Sequence, residues 1–257
     1  MKQLKRILFL FMLGGAIALG WYFRDPITSL SQKLRQGPGE ENSKGTPNPE
    51  LYQELIEELQ VKQLSLAERY HKARTALEIS QVIKESRATL HRNLPALMRC
   101  WLGTDWDFNG TCTKPGSGKI ACGYFVSTIL RDAGFKVERI RLAQQPSQNI
   151  IATFLPRQEM HVRAGTSYDD FLSEVISRGS GIRIVGLDKH VAFIVVEENQ
   201  SIRFIHSSGG YPYCVVDEDR DNATALQNSK YRVTGDFTHS DEVIHRWLVG
   251  EKWPTKL

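Results

Sequence analysis

The chain contains no Cys-x-x-Cys, no His-Glu-x-x-His and no compact His/Asp cluster, so none of the common metal-ligand spacings is present. Neither a metal nor any other cofactor is expected. Runs of Arg and Lys interleaved with aromatics are also missing, and the net charge of +4 with a pI of about 8.8 is only mildly basic. Nucleic acid is therefore not an expected partner. Cysteine is scarce, four in 257 residues. None follows the N-terminal apolar run closely, which argues against a lipoprotein-type attachment. No low-complexity stretch interrupts the chain, and 41% hydrophobic with 24% charged residues is the composition of a folded protein.

The N-terminus does carry an uncharged run, Ile7 to Phe23, behind the basic residues Lys2, Lys5 and Arg6. Its length is at the lower limit for a helix spanning about 30 Å of hydrocarbon. Ala16-Ile17-Ala18 could serve as a signal-peptidase site, whereas Trp21-Tyr22-Phe23 at the far end suits an uncleaved anchor. Either reading puts the bulk of the chain outside the cytoplasm, at the membrane or secreted. Residues 25–50 are polar and rich in Gly and Pro, as expected of a linker. Apolar spacing then predicts a helical segment over 51–94, with one helix from Leu51 to about Leu64, a second from about Leu66 to Asn93, and Pro95 ending the pattern or starting a new short helix. The remainder, 95–257, reads as the main domain.

That domain is organised around the stretch from Gly118 to Gly134. Phe125, Val126, Ile129, Leu130 and Ala133 recur at helical intervals, and Gly134 stands where a helix end favours positive φ. Cys122 thus opens a helix, where unpaired N–H groups and the dipole favour a thiolate. Upstream, Trp106 and Phe108 lie in an aromatic, Gly-rich loop that could wall a substrate cleft or plug the core. Downstream, Lys136 to Arg141 alternates like a strand and Tyr168 to Ser177 like an amphipathic helix.

Val191 to Val196 and Ser201 to Ile205 form a hairpin pattern. With the turn centred on Glu198, His190 faces His206 across the strands. Ala192, Ile194, Val196, Ile202 and Phe204 share their face, an apolar surface for which the Cys122 helix is the expected cover. A thiol, an imidazole and a group that orients the imidazole form the arrangement of a cysteine hydrolase; His161 is the alternative base. If Cys122 is the nucleophile, Cys100, Cys112 and Cys214 allow at most one disulfide, and Cys100 with Cys112 flank one loop. Beyond Tyr211 the acidic run Asp217 to Asp221 reads as a solvated loop, Tyr231 to Phe237 as a strand and Val243 to Val249 as a closing segment.

Ile-Ala-Cys122-Gly-Tyr-Phe-Val, His190-Val-Ala-Phe-Ile-Val and Phe-Ile-His206-Ser-Ser, in that order, resemble the NlpC/P60 superfamily of papain-like cell-wall peptidases. The resemblance covers about residues 94–208. It implies an α+β fold with a catalytic helix on an antiparallel sheet, and Cys122 as nucleophile, His190 as base and His206 as orienter. Trp106, Phe108 and Gly123 are then expected at the substrate, and a peptidoglycan stem peptide, or another peptide, is the implied substrate. Many bacterial members carry an acid before the cysteine and a serine after it; here Ala121 and Gly123 stand there, which leaves the scissile amide open. Two alternatives accompany this reading: an acyltransferase of the same fold, and a membrane-anchored binding module with a packed, unreactive Cys122.

Overall fold

The computed structural model describes residues 45–257. The expected anchor (1–24) and most of the expected linker (25–50) lie outside the described residues. Among the described residues no helix is long and apolar enough to cross a membrane.

Asn48 caps the first helix, α1 (Pro49–Lys72), accepting the Leu51 N–H at 3.0 Å, with Pro49 in the first turn where its missing N–H leaves no bond unmade. The expected break near Leu64 is absent. Leu66 continues the buried stripe of Tyr52, Leu55 and Leu59, so burial carries the helix on to Lys72. α2 (Ala76–Arg99) begins at a capping box of Thr75 and Glu78. Pro95 does not end it, because Leu94 to Met98 are all buried and this packing outweighs one lost backbone bond. Both helices are fixed to the rest of the fold: the Tyr52 hydroxyl donates to Asp132 Oδ2 at 2.8 Å, and Gln63 Nε2 to the Trp247 carbonyl at 2.6 Å. They belong to the same compact unit as the sheet.

The first described residues run along the loop that follows α2. Asn48 N–H donates to the Cys100 carbonyl at 2.8 Å, the Gly45 backbone lies against Leu102 and Gly103, and Pro47 against Gly116. All four cysteines are free thiols, so the expected Cys100–Cys112 bridge is not made. Cys100 is buried at the end of α2, and that burial pushes its thiol up to about 12; Cys112 is half-buried in the loop among Ser117, Lys114 and Arg139.

After the loop come α3 (Cys122–Asp132), β1 (Lys136–Val137), α4 (Arg139–Ala143), α5 (Ser147–Phe154), β2 (Met160–Ala164), α6 (Tyr168–Ser177), β3 (Gly181–Leu187), β4 (His190–Val196), β5 (Ile202–Ser207), β6 (Val215–Asp219), α7 (Thr224–Asn228), β7 (Tyr231–Gly235), α8 (Asp241–Val249) and β8 (Lys252–Trp253). The strand expected over Lys136 to Arg141 shortens to β1, because its partner β8 offers two residues; α4 follows at once. The protein is α+β. Six strands form one antiparallel sheet in the order β2-β7-β3-β4-β5-β6.

Both faces of the sheet are covered. On one side Phe125 of α3 meets Phe193 edge to face at 6.3 Å, and α5 packs along β3, with Ser147 against Gly186. On the other, Phe171, Leu172 and Val175 of α6 and Leu226 of α7 cover Val185, Ala192, Ile194, Val196, Ile202 and Phe204. This reverses the expected assignment of faces: α6 and α7, not the Cys122 helix, cover the apolar surface of the hairpin. The central strands are buried on both sides, so two-residue alternation does not mark which side the Cys122 helix takes.

The hairpin register also differs. Phe193 pairs with Ile205 and Val196 with Ile202, around a loop at 197–201 closed by a Glu197 N–H to Ser201 carbonyl bond of 2.9 Å. The expected pairing is displaced by two residues. An even slip leaves every side chain on its own face, so the two histidines stay together although they are diagonal rather than opposite.

Candidate active site

The site forms where β4 and β5 part. Their ladder begins at Phe193 and Ile205; beyond it, His206 and Ser207 pair only outward, with Val216 and Val215 of β6. The segment leading into α3 enters this gap. Ser207 Oγ donates to the Ile120 carbonyl at 2.7 Å, and the Val191 N–H donates to Cys122 Sγ. The thiol therefore sits beside the first residues of β4, immediately next to His190 in sequence. It reaches them from the α3 side, whereas the histidine rings share the opposite face with Phe204, at centroid distances of 6.3 Å for His190 and 4.3 Å for His206.

His190 Nε2 lies 2.8 Å from His206 Nδ1, and His206 Nε2 lies 3.1 Å from Glu218 Oε2. Three side chains on three adjacent strands are linked in one row. The structure thus brings the predicted His190 and His206 together and adds Glu218, which the sequence reading missed. The acidic run at 217–221 is not a loop where it matters: its first three residues belong to β6, Asp217 is buried between Arg99 and Arg203, and Glu218 turns to the histidine face. The signal that could have found it is Val215-Val216 leading straight into the acidic run, a strand start in which alternate acids take opposite faces.

Burial pushes the Cys122 thiol up, while the N–H groups of Val191, Gly123 and Cys122 itself pull it the other way; burial wins. His190 is held down to about 3 by burial and then by His206, and His206 likewise to about 3 by burial. Both rings are neutral at neutral pH. Thiol and imidazoles are therefore both uncharged at rest, and the thiol is bonded to backbone N–H groups rather than to a histidine. Burial, with Asp219 and Asp217 adding to it, raises the Glu218 carboxyl to about 7.

These shifts give stability a defined dependence on pH. The folded histidines bind fewer protons than unfolded ones near 6.5, so their contribution is complete above pH 6.5 and is lost as pH falls toward 3. Glu218 works oppositely: raised above its usual 4.5, it favours the folded state below that value and loses this contribution as pH rises through 7. Glu218 therefore offsets one histidine between about pH 4.5 and 6.5, and below that the histidines act unopposed. Thermal midpoints measured from pH 7.5 to 3.5 are expected to fall more steeply in the wild type than in His206→Asn. Identical profiles would show that His206 is not held neutral by the fold.

Gly123 is buried against α4, where a Cβ would run into the Ala143 carbonyl oxygen. Close approach of the two helices requires a residue without a side chain, and the Gly123 N–H stays directed at the sulfur. Gly123→Ser is expected to force α4 outward at about 1–3 kcal/mol, measured by denaturant unfolding. Unchanged stability would mean that α4 yields freely.

Trp106 and Phe108 are fixed beside the site by their loop, since Ile120 N–H donates to the Asp105 carbonyl and Ala121 N–H to the Gly110 carbonyl, each at 2.9 Å. Trp106 lies over Gly209 and is tilted against Tyr213 at 6.5 Å, whereas Phe108 is 79% exposed. Trp106 is thus partly a plug, and Phe108 is free for contact. His161, the alternative base, is on β2 at the sheet's far edge, remote from Cys122 in strand order. A cleft of about 710 Å³ opens at the opposite end of β4, lined by Ser173, Ile176, Val196, Glu197 and Gln200 among others, and shares no residue with the site. Among the described residues no group of three or more His, Cys, Asp or Glu is placed to hold a metal ion. Comparison with models of protein families, with curated proteins and with solved structures finds no match to this chain.

Proposed function

We propose that the domain is a cysteine hydrolase of amide bonds, a divergent relative of the NlpC/P60 peptidases, acting outside the cytoplasm on peptidoglycan peptides. The observation that supports this reading is the Val191 N–H bond to Cys122 Sγ, which sets the thiol at the strand residue next to His190, itself bonded to His206. Sequence order, the helix N-terminus under the thiol and the antiparallel sheet all agree with it. His190 commits Nε2 to His206, which leaves Nδ1 as the ring nitrogen for the thiol proton. For reaction the His190 ring and Sγ must close past the free end of β4; the proton then passes from Sγ to Nδ1, the sulfur attacks the amide carbonyl, and the Cys122 N–H at the helix start steadies the oxyanion. His190 then protonates the leaving amine, and water hydrolyses the thioester. The free face of Phe108 offers an apolar contact at the site.

One observation favours a second reading. Burial that raises the thiol also describes a packed cysteine in a binding module. Incubating purified sacculi with the full-length protein and with Cys122→Ala, followed by mass spectrometry of the soluble fraction, separates the two. Cysteine-dependent release of muropeptide fragments supports the hydrolase and identifies the bond. No release, together with a Cys122 that resists alkylation, supports the module.

A further inference from the structure

Building on the cysteine-hydrolase reading, we propose that Glu218 is a positioning residue that fixes the tautomers of His206 and His190, so that Nδ1 of His190 is the nitrogen able to take the thiol proton. An ionised carboxylate accepts hydrogen bonds and donates none. At 3.1 Å from Glu218 Oε2, His206 Nε2 must then carry the proton, and a neutral ring bears only one, so His206 Nδ1 presents a lone pair. His190 Nε2, 2.8 Å away, must fill it with its own N–H, and the remaining lone pair falls on His190 Nδ1. Each assignment forces the next.

The chain also runs backwards. A protonated Glu218 donates to His206 Nε2; Nδ1 of His206 then carries hydrogen and donates to His190 Nε2; and Nδ1 of His190 becomes an N–H, unable to accept. During forward catalysis the proton leaves Sγ for His190 Nδ1 and the S–H electron pair stays on sulfur. Glu218 receives no proton, and its negative charge faces the imidazolium through His206. The proton departs later on the leaving nitrogen, which restores the starting tautomers.

The surroundings place this switch in a working range. Asp217 and Asp219 flank Glu218 on β6, His206 faces it from β5, Arg203 of β5 is bonded to Asp217 on the other face, and His190 follows from β4. From α6, Tyr168 packs against the same apolar face, with the Arg232 guanidinium 5.8 Å from its ring. Burial and the two aspartates hold the Glu218 carboxyl at about 7.

The test uses the full-length chain, iodoacetamide, and peptide mass spectrometry to follow Cys122 from pH 5 to 9, with ¹⁵N spectra of the histidine rings beside it. Wild type is expected to show an acid limb near pH 7, with His206 as the Nε2–H tautomer above it and the Nδ1–H tautomer below. Glu218→Gln, which can still accept but cannot ionise, should alkylate within about threefold of wild type and lose the limb. Glu218→Leu should slow alkylation about tenfold, the lower end for removing a supporting hydrogen bond. A limb that persists in Glu218→Gln, or wild-type tautomers in Glu218→Leu, overturns the proposal. If Glu218→Leu does not fold, the Glu218→Gln profile and the wild-type spectra still decide it. Failure of the hydrolase reading looks different: Cys122→Ala retains hydrolysis while the ring spectra still follow Glu218.

Discussion

Cys122→Ala is expected to lower kcat for amide cleavage by at least about 10⁴-fold, roughly 5.5 kcal/mol of lost barrier reduction, with little change in stability. In the proposed mechanism the thiol alone carries the acyl group. Ser207, a hydroxyl in the same gap, commits its proton to the Ile120 carbonyl. His190→Ala is expected to cost nearly as much, because nucleophile and base act as one unit whose losses do not add. His206→Asn should cost about tenfold, since an amide can still receive the His190 Nε2–H. Hydrolysis by Cys122→Ala at the wild-type rate would end the assignment; full activity of His190→Ala would remove that residue from the mechanism.

Asp217→Ala is expected to be the most damaging single change outside the site. Its carboxylate, 2% exposed, receives Arg99 Nε at 2.7 Å and Arg203 Nε at 2.8 Å, and its carbonyl takes a further Arg203 N–H at 2.7 Å. Arg99 is itself only 8% exposed. Removing the acid leaves a buried guanidinium facing no carboxylate but Glu197, 4.0 Å away. Breaking one side of a buried pair costs about 3–5 kcal/mol, a large fraction of the 5–15 kcal/mol that holds a typical domain. The melting temperature should fall by about 6–20 °C. The double change Arg99→Met with Asp217→Leu should recover most of that loss, because it removes both members of the most buried pair and leaves only Arg203, which is 25% exposed. A drop below 1 kcal/mol for Asp217→Ala alone would show that water reaches Arg99.

What could be read in advance was local. The Cys122 helix, the amphipathic helix at Tyr168–Ser177 and both strands of the histidine hairpin are set by spacing within a dozen residues, and they form as expected. The hairpin turn was misplaced because polar residues at 197–201 accept several loop lengths, yet the slip was even and the histidines survived it. The covering of each sheet face was not legible. β3 and β4 are apolar on both sides, and burial on both sides erases the alternation that would assign a face. Glu218 was hidden for a related reason. Its neighbours Asp217 and Asp219 make the segment look solvated, while the arginine that neutralises Asp217 from α2 lies 118 positions away in sequence. Long-range charge pairing leaves no local trace.

The contact of residues 45–48 with the loop after α2 has a mechanical side. Gly45 bears on Leu102 and Gly103, Pro47 on Gly116, and Asn48 is bonded to Cys100, all on the loop that carries Trp106 and Phe108 and hands over to Cys122. A pull transmitted along the backbone into Gly45 is delivered first to this loop, before it reaches either long helix. Displacement of Gly45 and displacement of the loop ahead of the thiol are therefore coupled through these contacts.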